Sequence, residues 1–282
     1  MSAQPPSARY ADTPTRTVDA GGISYAYRAL GPTGEVPVVF LVHLAANLDN
    51  WDPAVIDAVA RKRHVITVDT RGVGATTGRV PGTVEEMADD AATFIRALGH
   101  DEVDVVGLSL GGMVAQALAL THPTVIRRLV LAGTGPRGGA GIDKVARVTF
   151  LDMLRAAVTR SDPKEFLFFH RDPAGRQAAR AFLGRLGQRT ENRDRAVSVA
   201  AFLTQLAAVR RWGRGTSVDL TRLRQPTMIV NGDDDRMVPT ALSHDLHRRI
   251  PGSALLIYPH SGHTAMFQFP QRFAADLEEF LG

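Results

Sequence analysis

A serine lies between two glycines in the stretch Gly107-Leu108-Ser109-Leu110-Gly111. The apolar run Val103–Val106 precedes this stretch and the helical run Met113–Leu120 follows it. A G-x-S-x-G pattern between a strand and a helix predicts a sharp turn that presents the serine hydroxyl. The helix N-terminus behind the serine favours the negative charge that develops in acyl transfer. The pattern predicts Ser109 as a nucleophile; the alternative is a glycine-rich turn in which Ser109 only caps the helix.

A serine nucleophile needs a base, and the base needs an orienting acid, in the chain order serine, acid, histidine. Three consecutive aspartates, Asp233–Asp235, follow the apolar run Thr227–Val230, and His260 and His263 follow the run Leu255–Tyr258. The order fits the chemistry, but the residues alone leave three acids and two histidines open. We favour His263 as the base, because His260 follows its strand directly, as a loop histidine would.

These residues need a scaffold that brings strand ends together, and the chain alternates strand and helix patterns. Most apolar runs are continuous in Val, Ile and Leu, which is typical of parallel strands covered on both faces. The alternation predicts an α/β fold with a doubly wound, mostly parallel sheet, whose functional residues lie at the carboxyl ends of strands. The predicted strands are Ile23–Ala29, Val38–Val42, His64–Val68, Val103–Val106, Leu129–Ala132, Thr227–Val230 and Leu255–Tyr258.

The pattern changes between Pro136 and Ser217, where no strand is predicted. Helices are predicted from Asp162, with proline at the first helical position, over Ala174–Leu186 and over Arg193–Trp212. We therefore expect a helical cap insertion at residues 136–217 and a core at residues 1–135 and 218–282. The last predicted helix carries an i, i+4 stripe of Val197, Ala201, Gln205 and Val209.

These features together resemble the α/β-hydrolase superfamily, and in particular its serine esterase and cofactor-free haloperoxidase-like branch. The resemblance extends over nearly the whole chain, from about Gly22 to Gly282. In this family the acid is usually the third residue after the glycine of a G-x-x-D-x-x-x-P pattern, which implies Asp235. The resemblance is carried by Leu41–His43, Asp69–Gly74, Gly107–Gly112, Gly232–Pro239 and Ser261–His263.

The same resemblance implies two backbone amides that bind the oxyanion. One belongs to the residue after the nucleophile, Leu110, and the other is carried over by position to Ala45. The chain departs from the family here, because Leu44 stands where the family has a glycine. We expect Leu44 either to alter the loop or to point into the substrate pocket.

The substrate pocket is expected to be apolar, since ligand sites are mostly lined by apolar and aromatic side chains. The candidate wall residues of the pocket are Leu44, Trp51, Met237, Phe168 and Trp212.

Asp69 and Arg71 are charged and follow a predicted strand, which could suggest a catalytic role. In the family, however, their segment is a structural turn held by the arginine.

Composition excludes several classes of site and partner. The 282 residues include no cysteine, which excludes disulfides, thiolate metal sites and a cysteine nucleophile. The arginines behind the net charge of +4 are scattered outside any nucleic-acid motif, so no nucleic-acid partner is predicted.

Residues Met1–Thr17 lack the apolar run of a signal peptide, and no stretch approaches the ~18 apolar residues of a membrane helix. We expect a cytoplasmic protein with no membrane partner.

The sequence therefore predicts a serine hydrolase that cleaves a carboxylic ester or lactone of a small, largely apolar substrate through an acyl-enzyme. No cofactor and no metal are expected, the small-molecule substrate is the expected partner, and a homo-oligomer is left open. The resemblance leaves open a cofactor-free perhydrolase or haloperoxidase, or a C–C bond hydrolase, on the same triad. An alternative of another class is a slow-turnover or non-catalytic receptor for a small ligand.

Overall fold

The computed structural model describes residues 9–282, in which eight strands form one sheet in the order β1-β2-β4-β3-β5-β6-β7-β8. The pairs β1–β2 and β2–β4 are antiparallel and the other pairs are parallel. This mostly parallel sheet confirms the predicted fold class. The strands are β1 Arg16–Ala20, β2 Ile23–Leu30, β3 Val38–Leu41, β4 Val65–Val68, β5 Val103–Leu108, β6 Ile126–Ala132, β7 Thr227–Gly232 and β8 Ala254–Tyr258.

Helices cover both faces of this sheet. They are α1 Pro53–Ala60, α2 Val84–Ala97, α3 Leu110–Thr121, α4 Val145–Thr159, α5 Pro163–Phe168, α6 Pro173–Leu186, α7 Val199–Arg214, α8 Ala241–Arg249, α9 Ala265–Gln268 and α10 Pro270–Leu281. Alternate residues of β3 show the two layers. Val39 and Leu41 pack in one core with α2 and α3, and Val38 and Phe40 pack in the other with α1 and α10. None of these helices, within residues 9–282, has the length and apolar character needed to cross a bilayer.

The elements that differ from the prediction include helix α4, which was not predicted, the edge strand β1 and the start of α7. The edge strand β1 was not predicted, because its sequence RTVDA is mostly polar and its side chains are largely exposed. Helix α7 begins at Val199 rather than Arg193, because the Ser198 side chain accepts a hydrogen bond from Ala201 N and caps the helix there.

Residues 136–217, called the cap segment below, lie between β6 and β7 and contain α4 to α7 and no strand, all within the described residues. Arg185 binds the fully buried Asp52 of the core through two hydrogen bonds of 2.7 Å. Arg189 donates to the carbonyl oxygens of Ala11 and Thr13 at 3.0 and 2.9 Å. These contacts bind the cap segment to the core, while its separation as a domain stays a prediction. Residues 1–8 of the predicted core lie outside the described range.

Two carboxyl groups also meet where the cap segment touches the core. Asp69 is fully buried after β4, accepts a hydrogen bond from Leu48 N at 2.9 Å, and hydrogen-bonds to the Asp194 carboxyl of the cap segment. Burial, together with the neighbouring Asp194, raises the pKa of Asp69 well above its usual range. Asp69 is therefore the protonated member of the pair. Asp69 then donates its proton to Asp194 Oδ2. That oxygen is buried and has no other hydrogen-bond donor within residues 9–282.

Replacing Asp194 by asparagine should make the stability of the protein less dependent on pH. Because folding raises the pKa of Asp69, the stability from its proton is complete below about pH 3.9, the unfolded value, and is lost as pH rises through the folded pKa. The Asp194→Asn amide can donate to the Asp69 carboxylate at any pH, so the variant should lose less stability than the wild type above about pH 4. Urea unfolding at a series of pH values measures this, and parallel curves would contradict a shared proton.

Candidate active site

Three loops at one edge of the sheet carry the side chains that the sequence predicts for chemistry. Ser109 lies between β5 and α3, Asp235 between β7 and α8, and His263 between β8 and α9. The strands β5 to β8 are parallel neighbours, so their carboxyl ends meet at the same edge. Residues far apart in the chain therefore come within hydrogen-bond distance.

The three side chains form one unbroken relay of hydrogen bonds. Ser109 Oγ lies 2.9 Å from His263 Nε2, and His263 Nδ1 lies 2.8 Å from Asp235 Oδ2. The side chains of His263 and Asp235 are 1% and 0% exposed. Because the ionised carboxylate only accepts, His263 Nδ1 carries the proton and Nε2 is left free to take the serine proton. The arrangement can therefore activate a serine for attack on a carbonyl carbon.

The structure brings Asp235 and His263 together and gives the competing residues other partners. Asp233 accepts hydrogen bonds from the backbone N–H groups of His260 and Ser261 at 2.9 and 3.1 Å. Asp234 is 53% exposed and its carboxylate lies 3.7 Å from His170. His260 has a φ of 50° in an exposed loop, where it is not part of the relay.

The backbone at Ser109 is strained and tightly held. Its φ of 56° is a left-handed conformation that costs a non-glycine residue about 1–3 kcal/mol. The Ser109 amide donates to Ala132 O at 2.8 Å, and the Ser109 carbonyl accepts from Thr134 Oγ1 at 2.8 Å. A side chain at Gly111 would collide with the carbonyl oxygen of Leu41. The glycine lets α3 approach β3, and this approach keeps the serine in place.

The two predicted oxyanion amides differ in the structure. The Leu110 N–H opens α3 and has no hydrogen-bond acceptor within residues 9–282. The Ala45 N–H instead donates to Gln205 Oε1 of α7 at 2.9 Å. The family motif selects the Ala45 amide as the second oxyanion donor. In the structure this amide is already bound by a side chain of the cap segment.

A cavity of about 610 Å³ opens onto Ser109 and His263. Leu44, Phe168 and Met237 line this cavity, as predicted for the pocket. Its apolar wall continues with residues of the cap segment. They are Met153, Leu167, Val197, Val199 and Phe202.

Trp51 and Trp212 do not line this cavity, so the prediction was wrong for both. Trp51 is 1% exposed and packs edge-on against Phe40 and Phe267 in the core. Trp212 is 4% exposed and donates its indole N–H to Gly135 O at 3.2 Å. Both aromatic rings fill the interior instead of facing a ligand.

Sequence reasoning missed Gln205 as a residue of the site. The available signal was a glutamine within the otherwise apolar stripe of the helix α7. It also missed polar residues that line the cavity, among them Asn47, Asn50 and Arg193. No group of three or more acidic or histidine side chains within residues 9–282 is arranged to hold a metal ion.

A family model described as the alpha/beta hydrolase fold matches residues 36–270 of the chain. The chain belongs to the α/β hydrolase fold family. A putative carbamate hydrolase, RutD, from Agrobacterium fabrum is 30% identical over 258 residues, which cover 88% of this chain and 94% of the relative. RutD from Shigella flexneri is 29% identical over 86% of this chain and 91% of its own length.

Solved structures agree with this assignment. An alpha/beta hydrolase fold protein from Chitinophaga pinensis is similar with a TM-score of 0.90 at 35% identity, over 97% of this chain and 99% of that chain. A serine hydrolase involved in carbazole degradation, CarC, is similar with a TM-score of 0.70 at 26% identity, over 95% of this chain and 98% of that chain. The family and the names of the relatives support hydrolase activity for this member.

Replacing Gly111 by alanine should destabilise the protein by about 3 kcal/mol or more, because its Cβ would meet the Leu41 carbonyl oxygen in a packed interior. Gly184, within α6, is the matched control, since a Cβ there meets no atom within 4 Å. Gly184→Ala should raise stability by roughly 0.5–1 kcal/mol, as alanine is the better helix former. Urea denaturation of both variants measures the difference, and equal midpoints would refute the tight α3–β3 contact.

Proposed function

We propose that this hydrolase cleaves a carboxylic ester or lactone through an acyl-enzyme on Ser109. The observation that carries the proposal is the buried relay from Ser109 through His263 to Asp235, at the wall of the cavity. An intact relay with a free Leu110 amide supports an enzyme in preference to a non-catalytic receptor. The same relay could serve peracid formation or carbon–carbon bond cleavage, and turnover of the matching substrates would distinguish them.

The relay supports a two-step reaction. His263 Nε2 takes the proton of Ser109 as the serine oxygen attacks the carbonyl carbon, and the Leu110 N–H binds the oxyanion. The intermediate collapses when His263 gives this proton to the leaving alcohol oxygen. Water, activated by His263, then hydrolyses the acyl-enzyme and releases the acid. Asp235 holds the imidazole in the required tautomer and stabilises the imidazolium.

The cavity supports a substrate larger than the smallest acyl compounds. Its volume of about 610 Å³ lies within the range of roughly 300–1,000 Å³ that holds drug-sized ligands. Much of the cavity wall is apolar, formed by residues such as Phe168 and Met237. A medium-length acyl chain or a substituted lactone would bury its apolar surface there.

A carbamate is the second candidate substrate, since the relatives from Agrobacterium and Shigella are named putative carbamate hydrolases. Free carbamate has four heavy atoms and would leave most of a cavity of about 610 Å³ empty. We therefore favour an ester or lactone, and a carbamate ester with a large alcohol would fit the same cavity.

Kinetics with p-nitrophenyl esters from acetate to octanoate test the proposal. Ser109→Ala and His263→Ala should each lower kcat by roughly 10³-fold or more, because residues of the relay act as a unit. Medium chains should have the highest kcat/KM, since they fill the apolar wall. A p-nitrophenyl carbamate and a lactone complete the substrate panel. Equal rates in the wild type, Ser109→Ala and His263→Ala would contradict the proposed triad. A preference for the carbamate would identify a carbamate as the substrate.

Asp235→Asn should lower kcat by about 10⁴-fold, because the amide stabilises the wrong imidazole tautomer. Asp235 Oδ1 accepts hydrogen bonds from the Met237 and Val238 amides at 2.8 and 2.9 Å, so the asparagine oxygen should stay there and turn its NH₂ group towards His263. Asp234→Asn is the matched control and should leave kcat unchanged. A similar loss in the two variants would show that Asp235 has no special part in the reaction.

A further inference from the structure

The peptide unit that joins Leu44 to Ala45 is bound at both of its polar atoms. Its carbonyl oxygen lies 2.9 Å from His43 Nδ1, and its N–H donates to Gln205 Oε1 at 2.9 Å. A carbonyl oxygen only accepts, so His43 Nδ1 is the donor. Burial lowers the pKa of His43 to about 3, so this ring is neutral at pH 7. The peptide cannot turn without breaking two hydrogen bonds beside the cavity.

Gln205 reaches this loop from α7, 160 residues further along the chain. Its side chain is fully buried, and its Nε2 atom has no hydrogen-bond partner within residues 9–282. An unsatisfied buried polar group costs about 1–3 kcal/mol. Gln205 therefore pairs the Ala45 amide while leaving its own Nε2 unpaired, and a buried polar group kept at that cost indicates a role in the site.

The helix that carries Gln205 is firmly anchored. Trp212 donates its indole N–H to Gly135 O at 3.2 Å, and its carbonyl oxygen accepts a hydrogen bond from Gly138 N at 3.0 Å. Leu206 and Val209 pack in the same core as the sheet. Because α7 is held in this way, Gln205 stays on the Ala45 amide, and that amide is not free to bind an oxyanion.

The amide one residue earlier has no such partner. The Leu44 N–H has no hydrogen-bond acceptor within residues 9–282, and Leu44 lines the cavity together with Ser109. The next residue, Ala45, has a φ of 57°, which costs a non-glycine residue about 1–3 kcal/mol. A strained turn needs contacts that hold it, and the bond from Ala45 to Gln205 is one of them.

We propose that Gln205 is a positioning residue of the oxyanion hole, and that the second donor is the Leu44 amide rather than the Ala45 amide. Gln205 fixes the peptide that follows Leu44 and so holds the backbone of Leu44 in place at the cavity that Ser109 also lines. The proposal rests on the proposed function, because an oxyanion arises only if Ser109 attacks a carbonyl group. In this way a helix of the cap segment helps to hold the loop that binds the oxyanion.

Kinetics on an ester and on the matching thionoester test this role. Gln205→Met keeps the size of the side chain but removes the acceptor, and should lower kcat for the ester about 10- to 100-fold with little change in KM. The thionoester rate should fall much less, because the sulfur of its tetrahedral intermediate accepts hydrogen bonds weakly. Thr204→Val, on the same helix, should change neither rate.

The conservative variant Gln205→Glu keeps an acceptor oxygen and should recover most of the ester kcat that Gln205→Met loses. Equal losses on the ester and the thionoester would mean general damage to the fold and would overturn the positioning role. A Gln205→Met protein that is as fast as the wild type would also overturn it, since the Ala45 amide would then act once it is free.

Backbone amide NMR provides a readout that does not need turnover. In protein labelled with ¹⁵N-alanine and ¹⁵N-leucine, the Ala45 amide should exchange with solvent slowly, and Gln205→Met should make it exchange rapidly. Adding phenylboronic acid, which forms a tetrahedral adduct on an active serine, should shift the Leu44 and Leu110 resonances and leave Ala45 protected.

A shift and loss of protection at Ala45 on boronate binding would assign the donor to Ala45 and overturn the proposal. Absence of any adduct, together with absence of ester hydrolysis, would overturn the proposed function itself. In that case the Ala45 exchange rates would still report whether Gln205 holds the loop, so the two failures are distinguishable.

Discussion

The site depends on His263, whose imidazole joins three loops through two hydrogen bonds. One bond, of 2.9 Å, reaches the serine between β5 and α3, and the other, of 2.8 Å, reaches Asp235 after β7. The side chains of His263 and Asp235 are buried, and the carboxylate sets the tautomer of the ring. The parallel order of β5 to β8 makes this junction possible, because it brings the three loops to one edge of the sheet.

The cap segment does more than cover the site. It forms most of the apolar wall, and its buried polar contacts with the core include those of Arg185 with Asp52, Asp194 with Asp69, and Gln205 with Ala45. Each contact uses a polar group that would be costly to leave unpaired, so these contacts stabilise the position of the cap segment on the core. In our proposal the last of these contacts links the position of α7 to the loop that binds the oxyanion.

Much of the fold and of the site could be predicted because the signals are local. Apolar runs mark seven of the eight strands, β2 to β8, and the glycine turn around Ser109 marks the predicted nucleophile within five residues. The edge strand β1 escaped because it is polar and exposed, without the pattern of a buried strand. Trp51 and Trp212 were misassigned because an aromatic residue in an apolar pattern fits a core and a pocket equally well. The Gln205–Ala45 contact joins residues 160 positions apart, and no local pattern contains such a contact.

The most direct test of the central claim is to find which residue forms a covalent adduct with a fluorophosphonate and how fast. Peptide mass spectrometry should locate a single adduct on Ser109, since the relay makes this hydroxyl far more nucleophilic than an ordinary serine. The rate of its formation should fall by roughly 10³-fold or more when His263 is replaced by alanine. An adduct on another residue, or an unchanged rate without His263, would contradict the account.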